Sequence, residues 1–261
     1  MLEDHVSNKK ALFPNGVHTE LREQKSRNRR VSLVQGNLTG NARMESSGTS
    51  ARVYQNGVYG FSSMAECSGE AAETVLKAAA ENALFMDRHV GRGKEPLPII
   101  PCGGIPLSKK IQDAAQKHYI EFAKELDSYI TAHCPKLSSR SVVAMEDSME
   151  KIICTSDGYD GHICAPRSYV YVFLNSETTS GTPIELFVPF GGSGTFLENF
   201  TDPSLCYSKI DALYEQLMHK REGIYAEAGY KTVVLGGLMS GMLAHEAVGH
   251  TVEADLVLGG S

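Results

Sequence analysis

Short runs of alternating apolar and polar residues fill the stretch from Val31 to Met64, and they predict a group of β-strands. Turn signals interrupt these runs at residues 35–37, 39–41 and 56–57. The Asn56-Gly57 pair is typical of a two-residue hairpin turn, because both residue types tolerate positive φ. We therefore expect an antiparallel meander in this part of the chain.

A basic cluster from Lys25 to Arg30 precedes the meander. One interpretation is a basic arm that binds nucleic acid. The other is a solvated turn or an exposed strand face. The second interpretation is favoured because the cluster is short and the whole chain has a net charge of -6.

Apolar residues recur at helical spacing in three longer segments. The first predicted helix begins after Ser68, a typical N-cap residue, and ends before Gly91. The second runs from about 108 to 132, and the third from about 204 to 228. The proline-rich segment 95–101 predicts an extended linker, because proline is excluded from the interior of a helix.

A second strand region is expected between residues 139 and 190, with strands at 142–145, 151–154 and 169–174. The aromatic side chains of the last of these strands are expected in the core of the sheet. A short apolar strand at 231–235 follows the third helix. The predicted class is α+β with mostly antiparallel sheets and amphipathic helices.

The composition is that of an ordinary soluble protein, with 42% hydrophobic and 21% charged residues. An isoelectric point of about 5.9 argues against direct nucleic-acid binding. No apolar run approaches the roughly 18 residues of a membrane span, and the N-terminus lacks a secretory signal. The six scattered cysteines could form disulfides, but free thiols in a reducing cytoplasm are the favoured interpretation.

The sequence His245-Glu246-Ala247-Val248-Gly249-His250 carries residues suited to zinc hydrolysis. Neutral imidazoles can hold the metal, and a carboxylate can take a proton from water. The familiar H-E-x-x-H motif spaces its histidines i and i+4, whereas the spacing here is i and i+5. Five residues of straight α-helix leave two side chains roughly 140° apart, so we predict a widened, π-type turn between the histidines. On spacing alone, two unrelated histidines remain an equal alternative.

The sequence around the motif, from Met239 to Asp255, resembles the active-site helix of the TldD/PmbA family. These are cytoplasmic bacterial and archaeal metallopeptidases that are also described as modulators of DNA gyrase. Residues 46–54 and 56–63 resemble the strand and hairpin signature at the start of the same family. The resemblance covers most of the chain from about Val31 onward.

The resemblance implies that His245 and His250 bind Zn²⁺ and that Glu246 is the catalytic general base. It also implies a third ligand, a cysteine, from a C-terminal half that would follow Ser261. None of the cysteines in this sequence lies near the motif. Two histidines alone would hold zinc weakly, because a catalytic site normally has three protein ligands and a water.

We therefore expect the N-terminal part of a cytoplasmic zinc metallopeptidase that cleaves peptides or unfolded protein segments. Residues 1–105 and 106–230 would form two α+β subdomains, and residues 231–261 would begin a truncated C-terminal catalytic domain. A related TldD/PmbA subunit is the expected partner, as a homodimer or heterodimer, with no membrane involvement. The competing hypothesis is an incomplete, non-catalytic dimerisation or partner-binding module whose metal motif is a relic.

Three further features have weaker signals. Glu253 and Asp255 could orient the imidazoles, or they could belong to a solvated helix end. The glycine-rich segment 190–196 lacks the Lys-Ser/Thr of a phosphate-binding loop and is expected to be a flexible turn. His162 and Cys164 could bind a metal, but alternation along a strand explains this pair better.

Overall fold

The structure is a computed structural model that describes residues 4–90, 106–107, 114–253 and 256. The chain divides into two compact units, Met1–Glu222 and Gly223–Ser261. The boundaries predicted at 105/106 and 230/231 stay predictions.

One sheet of seven strands lies within the described part of the first unit. The strands are β1 (His18–Val34), β2 (Asn37–Gln55), β3 (Val58–Met64), β4 (Pro106–Leu107), β5 (Ser139–Thr155), β6 (Asp160–Glu177) and β7 (Pro183–Ser193). The order across the sheet is β3-β2-β1-β5-β6, and the far edge of β6 pairs with both β7 and the short β4. Every pair is antiparallel except β4 with β6, so the α+β prediction is confirmed.

Helices connect and cover the strands. They are α1 (Gly69–Val90), α2 (Gln116–His133), α3 (Phe196–Asn199), α4 (Tyr207–Arg221) and α5 (Gly237–Ala244). Short 3-10 turns occupy Ser7–Leu12, Pro203–Cys206 and His250–Val252, and a π-helical turn occupies His245–Gly249. Among the described helices, none combines the length and the apolar character that a membrane crossing requires.

The local signals of the meander and the first helix are confirmed. Asn56 and Gly57 have φ values of 48° and 85°, as the hairpin turn between β2 and β3 requires. The Ser68 hydroxyl accepts a hydrogen bond from the Ala71 N–H at 3.1 Å, so Ser68 caps α1 as predicted.

The turn predicted at residues 39–41 is wrong, because this segment lies within β2. Ser32 pairs with Gly40, and Leu33 pairs with Leu38, so Thr39 is the extra residue of a β-bulge. A polar residue beside a glycine therefore marks an irregularity of the ladder here, not the end of a strand.

The basic cluster 25–30 lies inside β1, which confirms a strand and not a separate arm. Arg29 is nevertheless buried, and its guanidinium donates to the carbonyl of Ala114. The prediction of an exposed strand face for residues 25–30 is therefore correct only in part, because Arg29 is buried.

Several predicted elements differ in length from those in the structure. The strands predicted at 142–145 and 151–154 are one long strand, β5.

The second helix was predicted to begin at about residue 108, but α2 begins at Gln116 because Ala115 is extended, with ψ of 145°. Residues 108–113 and the predicted linker 95–101 lie outside the described residues. Residues 231–235 form no ladder with any described strand, and without such a partner they are not a β-strand.

Two hydrophobic clusters lie on the same face of the sheet, as the alternation of side chains along β1 and β5 shows. The first, here called the α1 core, contains Leu21, Ala51, Val53, Ile152 and Cys154 with Val75, Leu76, Ala79 and Ala83 of α1. The second, called the α2–α4 core, contains Val31, Leu33, Val142, Ala144, Val170, Val172 and Leu174 with residues from α2, α3 and α4.

The aromatic residues of β6 are not in either core, so that expectation is wrong. Tyr169, Tyr171 and Phe173 alternate with the buried valines and leucine and therefore point to the opposite face. They stack in a row there, with ring centroids 5.9 and 6.3 Å apart.

Candidate metal centre

The predicted motif helix is present in the unit Gly223–Ser261. It begins at Gly237 and continues without a break through α5, the π-helical turn and the 3-10 turn to Val252. Small and apolar residues make up α5, which delivers the motif residues at its C-terminal end.

The widened turn predicted from the i, i+5 spacing is confirmed. Residues His245–Gly249 are π-helical, and the His250 N–H donates to the carbonyl of His245. The two imidazole centroids lie 4.4 Å apart as a result. In a straight α-helix the same two rings would lie on the order of 13 Å apart, on nearly opposite sides.

Gly249 lies beside the imidazole of His245 and has no unusual dihedrals. Its φ and ψ of -60° and -52° are ordinary helical values that any residue can adopt. A Cβ atom at this position would lie 3.4 Å from Nδ1 of His245. A larger side chain would therefore compete with that imidazole for space.

Glu246 and Glu253 flank His250 on its two ring nitrogens. Nε2 of His250 is 3.7 Å from Oε2 of Glu246, and Nδ1 is 2.7 Å from Oε1 of Glu253. The second contact fits an orienting role for Glu253, because a carboxylate on one ring nitrogen fixes which nitrogen faces a metal. Asp255 lies outside the described residues.

The donor set of His245, Glu246 and His250 fits a zinc ion in its chemistry. One ligand atom from each of the three lies within 4.8 Å of the others, and the side chains are exposed. Imidazole nitrogen and carboxylate oxygen are both ordinary zinc ligands. Within the described residues, no further His, Cys, Asp or Glu joins this group.

Comparison with known proteins gives a family match over part of the chain and several matches in fold. Residues 19–83 match the family model described as PmbA/TldA metallopeptidase domain 1, which covers the β1–β3 meander and most of α1. Three solved structures share the fold. A proposed modulator of a DNA gyrase from Thermotoga maritima is 14% identical, with a TM-score of 0.55 over 78% of this chain and 45% of that chain. TldE from Thermococcus kodakarensis is 13% identical, with a TM-score of 0.53 over 83% and 46%.

A proposed modulator of DNA gyrase from Bacteroides thetaiotaomicron is 14% identical, with a TM-score of 0.57 over 78% of this chain and 47% of that chain. Residues 19–83 are therefore similar to the first domain of the PmbA/TldA metallopeptidase family. At these identities the structural likeness concerns the fold alone, and this chain spans just under half the length of the structures that it matches. No curated protein is significantly similar to it.

The glycine-rich segment 190–196 is not the flexible turn that was predicted. Residues through Ser193 complete β7, and Thr195 then caps α3. The Thr195 hydroxyl accepts from the Glu198 N–H at 3.4 Å, and the Glu198 carboxylate accepts from the Thr195 N–H at 2.8 Å.

His162 and Cys164 alternate along β6, which confirms their assignment to a strand. The ladder also places Glu150 of β5 opposite Cys164, and the three side chains form a second group of closely spaced donors. Sequence reasoning missed Glu150, because its position depends on the register between two strands and not on spacing within one segment.

The cysteines of the described residues are free thiols, and Cys102 lies outside that part of the chain. Burial raises the pKa of Cys154 to about 12, and it raises the pKa of Cys134 and of Cys206 to about 11. These thiols therefore stay protonated at neutral pH and behave as core residues.

Proposed function

We propose that this chain is the N-terminal part of a zinc-dependent metallopeptidase of the TldD/PmbA family that cleaves peptides or unfolded protein segments. The observation that carries the proposal is the π-helical turn, which gathers donor atoms of His245, Glu246 and His250 within 4.8 Å. The family description as a metallopeptidase supports the same chemistry.

His245 and His250 would hold the zinc ion through imidazole nitrogens. The 2.7 Å contact between Nδ1 of His250 and Glu253 leaves Nε2 as the nitrogen available to a metal. A bound Zn²⁺ would supply Lewis acidity toward water and the peptide carbonyl. The proposed third ligand is a cysteine from the C-terminal half of the family protein, because three protein ligands are usual for a catalytic zinc site.

Glu246 is the proposed general base. Its carboxylate is 66% accessible and lies beside His250, so it can take up a proton from water at Oε2 and return it to a leaving amine. A general base has to lie close to the two histidines that hold the metal, and the metal itself can be held by other ligands. Glu246 lies close to both, because it follows His245 in sequence and the widened turn brings it near His250.

A related TldD/PmbA subunit is the proposed partner, in a homodimer or a heterodimer. We also propose that the protein works in the cytoplasm. The free thiols of the described residues support a reducing compartment.

Zinc content of the protein at full family length, which includes the proposed third ligand, tests the metal assignment. With Cys164→Ser in the background, to remove a thiol donor elsewhere in the chain, His245→Ala and His250→Ala should each lose the bound zinc. Glu246→Gln should retain it. No bound zinc in the parent, with no change on His250→Ala, would leave the relic-motif hypothesis as the better account of this chain.

Cleavage of an unfolded protein such as reduced casein tests the role of Glu246. In the protein at full family length, Glu246→Gln should lower the cleavage rate at least about 100-fold, which is the usual contribution of a general base, while zinc stays bound. Glu227→Gln, which changes an acidic residue of the same unit outside the motif, is the matched control and should keep the parental rate. Cleavage that survives Glu246→Gln removes this carboxylate from the mechanism.

A further inference from the structure

A band of polar residues separates the α1 core from the α2–α4 core on the covered face of the sheet. On β5 this band consists of Glu146, Ser148 and Glu150, which are at most 5% exposed, although apolar core residues precede and follow them at the same alternate positions. A buried carboxylate is costly unless other groups satisfy it. Each of the two glutamates therefore needs an explanation.

Glu146 has a structural explanation. Its Oε2 accepts from the N–H of Phe196 at 2.5 Å, at the start of α3, and its Oε1 accepts from the Ser148 hydroxyl at 3.2 Å. This carboxylate therefore ties a connecting segment to the sheet.

Glu150 has different surroundings, made of side chains that ligate metals. Its Oε1 lies 2.8 Å from Nε2 of His162, and Cys164 is its direct partner across the β5–β6 ladder. His162 and Cys164 stand two residues apart on one strand, so both point to the face that carries Glu150. One ligand atom from each of the three lies within 4.8 Å of the other two.

We propose that Glu150, His162 and Cys164 form a second metal site that binds Zn²⁺, separate from the motif on α5. Carboxylate oxygen, imidazole nitrogen and thiolate sulfur are the three ligand types that zinc takes in proteins. The thiolate excludes the hard cations Mg²⁺ and Ca²⁺ as preferred occupants, because these bind oxygen.

The spacing of the three donors is close to what a tetrahedral zinc ion needs. Bond lengths of about 2.0–2.3 Å place neighbouring ligand atoms roughly 3.3–3.6 Å apart. The nitrogen–oxygen contact of 2.8 Å would open by a few tenths of an ångström to admit the ion. The thiol, within 4.8 Å of both, would reach the ion by a side-chain rotation without any shift in register.

Charge also favours a divalent ion in this place. A carboxylate and a thiolate together carry two negative charges, so Zn²⁺ makes a neutral site in a location where Glu150 is only 6% accessible and His162 is 28% accessible. Lys25 lies opposite Glu150 across the β1–β5 ladder, and it forms an ion pair with Glu45 at 3.2 Å. His162 is partly accessible, so water could complete the coordination of an ion that these residues bind.

Titration with Co²⁺, which occupies zinc sites and reports its ligands in the absorption spectrum, tests this proposal without any peptidase activity. The parent carries His245→Ala and His250→Ala, so that the site on α5 cannot contribute. We expect one equivalent of Co²⁺ with a thiolate-to-cobalt charge-transfer band in the near ultraviolet. Cys164→Ser should abolish the band, and Cys67→Ser, a matched change at another accessible free thiol, should preserve it.

Glu150→Gln and His162→Gln should each weaken Co²⁺ binding by about tenfold or more while the thiolate band persists at saturation. Absence of the band in the parent, or its survival in Cys164→Ser, would show that these residues are only an ion pair with a neighbouring thiol. Because the α5 site is deleted throughout, the outcome is independent of the proposed function.

A second measurement uses the unaltered chain and does not depend on any variant folding. Zn²⁺ should slow alkylation of Cys164 by iodoacetamide, as followed by peptide mass spectrometry, and it should leave the rate at Cys67 unchanged. Equal protection of both thiols, or of neither, overturns the proposal.

Discussion

Gly60 on β3 lies directly against the backbone of α1, and Gly60→Ala is a sharp test of how the α1 core is built. A Cβ atom at this position would lie 2.1 Å from the carbonyl oxygen of Ala79 and 2.2 Å from the backbone nitrogen of Ala83. Both obstacles are backbone atoms, so no side chain can rotate away. Ordinary contacts are near 3.4 Å or more, so α1 would have to move away from β3 by about 1 Å.

That movement would loosen a cluster in which Ala79 and Ala83 are fully buried. Overpacking of this kind typically costs 1–3 kcal/mol and occasionally more, and we expect about 2–4 kcal/mol because the clash is with a whole helix. For a unit of this size each kcal/mol lowers the melting temperature by about 2–4 °C, so Gly60→Ala should lower it by roughly 4–16 °C. The chain has no Trp, so far-ultraviolet circular dichroism is the suitable assay.

Gly69→Ala is the matched control on the same helix. The added Cβ would lie 3.5 Å from Cε and Nζ of Lys9, the flexible end of a long side chain. Alanine also has the better helix propensity, by up to about 1 kcal/mol, so the melting temperature should stay or rise. A melting temperature for Gly60→Ala within about 2 °C of the parent, or an equal fall in both variants, would refute the close-packing argument.

Three further changes test other parts of the molecule. Gly249→Leu should displace the imidazole of His245 and weaken zinc binding by about tenfold or more, whereas Gly249→Ala should have a small effect. Zinc titration measures both variants in a background that carries Cys164→Ser. Burial raises the pKa of Glu20, but the hydrogen bonds and charges of Arg52 and Arg22 together outweigh it and leave the pKa below its usual value. These ion pairs therefore contribute stability above the usual carboxyl pKa that is lost as the pH falls through the lowered value. Glu20→Gln should lower the melting temperature at neutral pH by roughly 1–4 °C and should have less effect in acid; an equal loss at both pH values contradicts the assignment. Cys154, with its pKa raised by burial to about 12, should resist iodoacetamide in the native chain near pH 8 and react once urea unfolds it; native labelling would show that the α1 core opens.

Features that depend on a few neighbouring residues could be predicted from the sequence. The Asn56-Gly57 turn and the Ser68 cap follow from local chemistry, and both are present. The π-helical turn at His245 was predictable for a related reason, because a five-residue spacing can bring two imidazoles together only if the helix widens.

Features that depend on pairing between distant strands could not be predicted in this way. The composition around residues 39–41 is the same for a turn and for a bulge, and only the partner strand decides between them. The alternation in β6 shows that His162 and Cys164 share a face, but it does not show which face or which residue of β5 lies opposite. Glu150 therefore became part of a candidate site only when the register was known.

The length of β1 and β5 has a consequence for how the first unit unfolds. Each strand has 17 residues, about 55 Å of extended chain, and each contributes side chains to both hydrophobic clusters. Loss of one cluster would therefore destabilise the β1–β5 ladder against which the other cluster packs. We expect the two cores to lose structure in a single cooperative transition, with the amides at the centre of the β1–β5 ladder exchanging with solvent only when the whole unit opens.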